Sequence, residues 1–172
     1  LAHFDVGDQV VVDEAEIELL EAMVDLTYNG TVQGTSDNSP PAETPEKAID
    51  DKTSTKYLNF DGAYSGLTIT CNESGIVKAV ALTSGNDAPE RDPTSFTLLG
   101  SNDYYNLTVI AADVAVPEFV DRIARQVIDI DNDDIYKIYK IIFPTLNSEI
   151  VSWAPAMQIT EIELLGTINA SV

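Results

Sequence analysis

The chain has 172 residues, the length of one ordinary domain, and 44% of them are hydrophobic, which is enough for a folded core. Its 29 acidic side chains outnumber 9 lysines and arginines, and the net charge of −20 argues against nucleic acid and anionic membranes as partners. No run of 18 apolar residues is present, so the sequence predicts no membrane-spanning helix. An acidic surface attracts cations or maintains solubility in salt, and composition leaves both roles open.

The first thirty residues form an acidic N-terminal extension with eight acids and no lysine or arginine. Asp13 and Glu16 have the spacing of a capping box, which predicts a helix over 14–23, whereas the alternation of apolar residues over 24–28 leaves a strand as the alternative. Burial against the rest of the domain or a neighbouring subunit is expected for its apolar residues, since burial alone outweighs the repulsion between the acids. These residues are Val10, Val12, Ile17, Leu20 and Val24.

The inventory of nucleophiles and bases argues against an enzyme. Cys71 is the only cysteine and lies in a strand-like run, where a buried thiol is expected, and His3 is the only histidine. Cys–His and Ser–His–Asp catalysis therefore lack their base, and most zinc and iron sites lack their ligands. No pattern orders any pair of carboxylates for glycoside hydrolysis.

From residue 67 onward the pattern is one of short strands between turn-forming clusters, which predicts an all-β sandwich. In the strand before Pro144 we expect Tyr139, Ile141 and Phe143 to face the core and Lys140 and Ile142 to face away. The predicted strands are Leu67–Cys71, Ile76–Thr83, Ser95–Gly100, Leu107–Ala111, Gln126–Ile130, Ile135–Phe143 and Met157–Leu165.

Three segments carry a resemblance to a known family. Ala48–Phe60 reads AIDDKTSTKYLNF, Asn86–Asp103 contains RDPTSFTLLGSND, and Met157–Gly166 reads MQITEIELLG. Together they resemble, in order, the conserved segments of discoidin-like, galactose-binding-like jelly-roll domains, a superfamily with coagulation-factor C-type domains and many carbohydrate-binding modules. The resemblance covers about residues 32–168 and implies a fold rather than a ligand.

The resulting division of the chain is an extension at 1–30, a jelly-roll β-sandwich at 31–168 and a tail at 169–172. The resemblance implies a non-catalytic carbohydrate-binding or adhesion module, with a glycan or cell-surface polysaccharide as partner. An extension of thirty residues that is ordered must be held by contacts with its own domain or with a neighbouring chain. A second function is therefore open, a structural subunit of an extracellular assembly such as a filament, surface layer or virion. In that function the chain associates with itself through residues 1–30.

The loop that contains Asp50 and Asp51 supplies the hard oxygen ligands that Ca²⁺ requires, six to eight of them with backbone carbonyls included. The resemblance implies a structural calcium ion between this loop and the last strand, although relatives often carry Asp or Asn where Lys52 stands. A capped turn without metal is the alternative. The implied ligands are the carbonyl of Lys47 or Ala48, the Asp50 carboxylate, the Lys52 carbonyl, the hydroxyl and carbonyl of Thr55 and the Glu161 carboxylate.

A second acidic cluster, residues 129–134, has an EF-hand-like spacing of acids. It departs from that motif because Asp134 stands where a glycine is needed and Lys140 stands where the bidentate glutamate is needed. A solvated turn between two strands is expected here.

A sugar site needs an exposed aromatic face with a few polar groups on loops. Trp153 is the only tryptophan and precedes the last strand, and two loops fall where relatives bind glycans. The expected ligand contacts are Asn86, Arg91, Asn147 and Trp153. As alternatives, Trp153 packs in the core, and Arg91 forms an ion pair with Asp87 or Asp92.

Four Asn-X-Ser/Thr sequons favour an extracellular protein, secreted or at the cell surface, because such sites are glycosylated on that route. The candidate glycosylation sites are Asn29, Asn72, Asn106 and Asn169.

Overall fold

The computed structural model describes residues 13–14, 23–148 and 156–168, and almost all regular secondary structure in this part is antiparallel β-sheet. None of the helices in these ranges has the length and hydrophobicity needed to cross a membrane. The strands are β1 Val24–Asp25, β2 Thr31–Gly34, β3 Tyr57–Asn59, β4 Ser65–Thr83, β5 Ser95–Ser101, β6 Thr108–Ala115, β7 Arg125–Asp129, β8 Tyr136–Phe143, β9 Met157–Ile159 and β10 Glu161–Ile168, and two short 3₁₀ helices are η1 Pro45–Ile49 and η2 Pro89–Arg91.

The long strand β4 organises the sheet by changing partners along its length. Its first part pairs with β2 and β8, and its last part pairs with β10 and β7. The main path of strands runs β1-β10-β4-β8-β5-β6, and β3 and β9 form a separate two-stranded sheet. The register of β4 against β8 shifts between Thr70 and Gly75, which is where the sequence predicts a break between two strands. An irregular stretch in one continuous strand therefore replaces the predicted gap.

The core contains the residues that alternation places inside. Tyr139, Ile141 and Phe143 of β8 are fully buried and belong to the central cluster, whereas Lys140 and Ile142 are partly exposed, as predicted. Burial of a large apolar side chain contributes about 1.5–3 kcal/mol, so a strand with three such residues is firmly held in the sandwich. The thiol of Cys71 is buried as well, and burial raises its pKa to about 12, which leaves it unreactive.

The described part of the extension departs from the expected burial. Val24 pairs with Gly166 as part of β1, but its side chain is 40% exposed on this chain. The sheet edge holds the backbone of Val24 without covering its side chain. The predicted helix over 14–23 and the apolar residues from Val10 to Leu20 lie outside the described residues, except Glu14 at the start of that helix and Met23 at its end.

Candidate functional site

Two carboxylates meet at the junction between the loop after η1 and the first residue of β10. The backbone N–H of Lys52 lies 3.0 Å from Oδ1 of Asp50 and 3.2 Å from Oε1 of Glu161, so it donates to both. Thr55 donates from its hydroxyl to Oδ2 of Asp50 at 2.5 Å. Asp51 has a left-handed backbone (φ 58°), a conformation that aspartate tolerates, and it turns the chain between Asp50 and Lys52.

The two carboxylates differ in ionisation because they differ in burial. Glu161 is 6% exposed, and desolvation together with the hydrogen bond and charge of Asp50 raises its pKa to about 9. Burial acts on Asp50 in the same direction, but hydrogen bonds from Thr55, Glu161 and Lys52 outweigh it and lower the pKa of Asp50. One carboxylate is therefore charged and its buried neighbour holds a proton when no cation is present.

The oxygen groups at this junction are of the kind that a hard cation binds, but they are fewer than the six to eight ligands that a calcium ion needs. The loop supplies three oxygen ligands, the Asp50 carboxylate, the Thr55 hydroxyl and the Lys52 carbonyl, which lies 3.4 Å from that hydroxyl. The Glu161 carboxylate adds a fourth from β10. Across residues 13–14, 23–148 and 156–168, however, no group of three or more His, Cys, Asp or Glu side chains is placed to hold a metal ion. Backbone carbonyls and water would have to complete a calcium shell here.

A polar cleft of about 600 Å³ lies beside this loop. It is lined by the segment Thr53–Lys56 and by Asn86 and Asp87 of the loop that follows β4. Glu43 also lines the cleft; its backbone carbonyl accepts a hydrogen bond from the N–H of Leu58, which holds it beside β3. Hydroxyl, amide, carboxylate and ammonium groups thus face one space.

Lys56 lines the cleft and is held by a hydrogen-bond network that includes the buried Gln158. The ammonium of Lys56 donates to Oδ1 of Asp87 and to Oε1 of Gln158, each at 2.9 Å, and lies 3.6 Å from Oε1 of Glu43. The Gln158 side chain is completely buried and donates to the carbonyl of Asp87 at 2.5 Å. Gly85 leaves room for this amide, because a Cβ there would lie 2.5 Å from Nε2 of Gln158. The network lowers the pKa of Asp87, mainly through the hydrogen bond from Lys56, so the carboxylate stays charged.

Arg122 also holds the loop that follows β4, through contacts with Asp87 and Asp92. Its guanidinium makes a two-bonded ion pair with the buried carboxylate of Asp92 at 2.6 and 2.9 Å, and it donates to the carbonyl of Asp87 at 3.2 Å. Desolvation raises the pKa of Asp92 even though Arg122 opposes the shift. The ion pair expected of Arg91 as an alternative is not formed at close range in the described structure, where Lys56 holds Asp87 and Arg122 holds Asp92. The charge of Arg91 still helps to lower the pKa of Asp87. Nε of Arg91 is buried without a hydrogen-bond partner.

The structure separates the ligand contacts that the sequence predicts. Asn86 lines the cleft, whereas Asn147 lines a smaller depression of about 310 Å³ with Asp92 and Phe119. Asn147 is fixed to the loop between the two cavities, because its amide donates to the carbonyl of Pro89 at 3.3 Å. Trp153 lies outside the described residues.

The remaining predicted sites are placed as follows. Ala48 is fully buried in the core, in η1, just before the carboxylate pair. Three sequon asparagines, Asn29, Asn72 and Asn106, are exposed, and Asn169 lies outside the described residues.

The acidic turn at 129–134 connects β7 to β8, as expected. Asn132 is buried in it and donates to the carbonyls of Val77 and Asp134, while Asp133 pairs with Lys78 at 2.7 Å. The carboxylates of this turn are thus solvated or paired with lysine.

Sequence reasoning missed most of the cleft. Glu43, Lys56 and Gln158 come from three separate segments, and their meeting depends on the packing of β3 against β9. The only local signal was Gln158 itself, a polar residue between the apolar Met157 and Ile159 of a strand.

Comparison with known proteins identifies the fold. No protein-family model and no curated protein matches the sequence. Among solved structures, a family 32 carbohydrate-binding module from Clostridium perfringens in complex with GalNAc-β-1,3-galactose is 13% identical with a TM-score of 0.66, covering 83% of this chain and 98% of that one. The family 32 module of C. perfringens NanJ in complex with galactose is 15% identical with the same coverage and TM-score.

A third similar structure is the family 32 module of AlyQ in complex with 4,5-unsaturated mannuronic acid, which is 18% identical with a TM-score of 0.58 and covers 78% of this chain and 92% of that one. These likenesses confirm the discoidin-like, galactose-binding-like β-sandwich that the sequence predicts. At such identities they establish the fold alone.

Proposed function

We propose that this galactose-binding-like β-sandwich is a non-catalytic carbohydrate-binding module and that the cleft beside Lys56 is its glycan site. The observation that carries the proposal is the cleft itself: a concave space of about 600 Å³ with hydroxyls, an amide and charged groups held in place by a buried hydrogen-bond network. Convergent polar groups in a preformed cleft are what recognition of a hydroxyl-rich ligand requires. The complexes of similar folds with galactose, GalNAc-β-1,3-galactose and unsaturated mannuronic acid support the same class of ligand.

A structural calcium ion is part of this proposal. Asp50 and Glu161 would hold it with the hydroxyl of Thr55 and the carbonyls of Lys52, Thr55 and Ala48 or Lys47. The support is that the Asp50 and Glu161 carboxylates share the N–H of Lys52, at 3.0 and 3.2 Å, so that a divalent cation bound there would take the place of the proton on Glu161. Such an ion would tie the loop after η1 to β10 and thereby fix the segment Thr53–Lys56 that lines the cleft.

An extracellular location, at the cell surface or in a secreted protein, accompanies the proposal. Exposure of Asn29, Asn72 and Asn106 supports it, since a glycosylation site must lie at the surface to carry its glycan.

The alternative, a structural subunit of an extracellular assembly, is favoured by one feature. A groove of about 520 Å³ at the β1–β10 edge is lined by exposed apolar side chains, among them Val24, Tyr28 and Ile168. In that function a second copy of the chain would cover the groove through residues 1–30. Light scattering of the full chain and of a variant that lacks residues 1–12 distinguishes the assembly subunit from the carbohydrate-binding module. If the full chain associates and the shortened variant does not, the result supports the assembly.

The direct test of the module is a glycan array probed with and without chelator, followed by titration of two alanine variants. Asn86→Ala should weaken binding of the selected glycan, because its amide lines the cleft, while Asn147→Ala should leave affinity unchanged. Loss of binding in Asn147→Ala alone would move the site to the smaller depression. An array without any bound glycan would contradict the function itself.

A further inference from the structure

The turn at 121–124, just before β7, places an apolar residue in the polar cleft beside Lys56. Ile123 lines that cleft, and it is the only large apolar residue among the described residues that do so. It is 42% exposed, whereas isoleucine is one of the residues most often buried. Polar groups of Thr53–Thr55 and Asn86 surround the same space. An apolar surface is therefore offered to whatever enters the cleft.

The backbone of Ile123 is strained. Its φ of 53° lies in the left-handed region, where the Cβ of an L-residue comes too close to the carbonyl oxygen. Aspartate and asparagine tolerate this region, but a β-branched residue there is a true outlier. Seven described non-glycine residues have a positive φ, and Ile123 is the only β-branched one among them. Strain of this kind persists only where the surrounding structure enforces it.

Hydrogen bonds from the segment after β4 enforce this conformation. The N–H of Ile123 donates to the carbonyl of Gly85 at 3.1 Å. Ser84 is completely buried and donates from its N–H to the carbonyl of Ala124 at 2.9 Å. Its hydroxyl donates to the carbonyl of Asp121 at 3.2 Å and accepts from the N–H of Ala124 at 3.0 Å. The turn is thus fixed on both sides of Ile123.

The strain at Ile123 does not serve the packing of the core. Ile123 is not part of the central hydrophobic cluster, whereas its neighbour Ala124 packs against that cluster. Glycine would adopt the same backbone without a steric cost, and asparagine would adopt it at a smaller cost than isoleucine. The isoleucine thus costs stability through its backbone and leaves apolar surface in water. Strained residues concentrate at ligand-binding sites, where the strain positions a group that the ligand contacts.

We propose that Ile123 is the apolar contact of the cleft and packs against the C–H face of a sugar ring, an inference that rests on the proposed glycan-binding function. A sugar ring has hydroxyls around its edge and C–H groups on its faces. In galactose the axial hydroxyl leaves one face with C–H groups alone. Burial of such a face against Ile123 removes apolar surface of both partners from water, while the amide of Asn86 remains for the hydroxyls.

The test measures affinity and stability together in Ile123→Gly. The full chain is titrated with galactose, with GalNAc-β-1,3-galactose and with the glycan selected on the array. Affinity should fall by about five-fold or more, because the ring face loses its apolar partner. The melting temperature should rise by about 2–4 °C, because glycine relieves the strained backbone. A residue with a purely structural role would not move the two quantities in opposite directions.

Three further variants identify the cause of the change. Ile123→Asn retains a Cβ and tolerates the left-handed backbone, so an equal loss of affinity would exclude a loosened turn. Ile123→Val keeps the apolar contact and should lose less than about two-fold. The matched control is Val120→Gly, because Val120 is 87% exposed in the same loop, has no positive φ and does not line the cleft. It should leave affinity unchanged and lower the melting temperature slightly.

The outcomes separate this contact from the function on which it rests. If Asn86→Ala weakens binding and Ile123→Gly does not, the contact is overturned and the carbohydrate-binding function stands. If Ile123→Gly lowers both affinity and melting temperature, Ile123 supports the fold and the contact is again overturned. If neither sugar nor any glycan of the array binds, the function is overturned together with the contact.

Discussion

Two acid-rich turns of this chain behave in opposite ways. The loop at 50–55 brings the charged carboxylate of Asp50 against the buried Glu161, and no lysine or arginine pairs with either in the described structure. The turn at 129–134 has four acids against two in that loop, yet Lys78 holds Asp133 and the amide of Asn132 organises the backbone. The density of acids along the sequence therefore says little about a cation site. The two turns differ because a strand presents the buried carboxylate of Glu161 to the loop at 50–55, whereas the turn at 129–134 meets a lysine.

The largest expected effect is that of calcium on the loop at 50–55. If the ion binds only the folded state, a hundred-fold excess over its dissociation constant raises the free energy of unfolding by about 2.7 kcal/mol. Excess chelator should lower the melting temperature, and Asp50→Ala should remove the response. Asp133→Asn, in the other turn, should respond to calcium as the unmodified chain does. A melting temperature that chelator does not change would reduce the loop to a capped turn.

The second-largest effect is expected in the turn at 129–134, where an amide replaces a cation as the organising group. Asn132→Ala should lower the free energy of unfolding by about 1–3 kcal/mol, because its buried amide satisfies the carbonyls of Val77 and Asp134. Urea unfolding measures the change. The control is Asn102→Ala, an amide that similarly bridges Ile135 and Lys137 but is exposed, so water replaces its bonds at a smaller cost. Equal losses in the two variants would show that burial is not the cause.

A third acidic turn, at the tip between β5 and β6, should depend on pH. Asp103 accepts hydrogen bonds from the backbone and side chain of Asn106 and from the N–H of Tyr105, and these bonds hold its pKa at about 2. Because this pKa lies below the unfolded value of 3.8, its stabilising contribution is present above that pH and is lost as pH falls toward about 2. The free energy of unfolding of Asp103→Ala should therefore fall less steeply over this interval than that of the unmodified chain. Parallel curves would assign the acid sensitivity to other carboxylates.

The smallest effect is expected from the ion pair of the 129–134 turn. The Asp133 side chain is 90% exposed, and solvent screens its attraction to Lys78. Lys78 also retains its bond to the carbonyl of Asn132 in Asp133→Asn. The melting temperature of that variant should not differ measurably from that of the unmodified chain. A clear drop would show that this turn depends on charge as much as the loop at 50–55.

The sequence by itself determined the β-sandwich. Strand alternation placed Tyr139, Ile141 and Phe143 in the core because successive side chains of a strand point to opposite faces, and that periodicity is local. Three short segments predicted the same fold in the same local way. The sequence also placed Asp50 and Glu161 as partners, but only through the resemblance, since 111 positions separate them.

Tertiary structure alone decided which charges are paired. Arg91, Arg122, Lys56, Asp87 and Asp92 all looked available in the sequence, and the packing of loops against β9 paired four of them and left the guanidinium of Arg91 without an ion pair in the described structure. Pairing depends on distances of a few ångströms between segments that are far apart in the chain, and no local pattern encodes such distances. The cleft is a product of that packing.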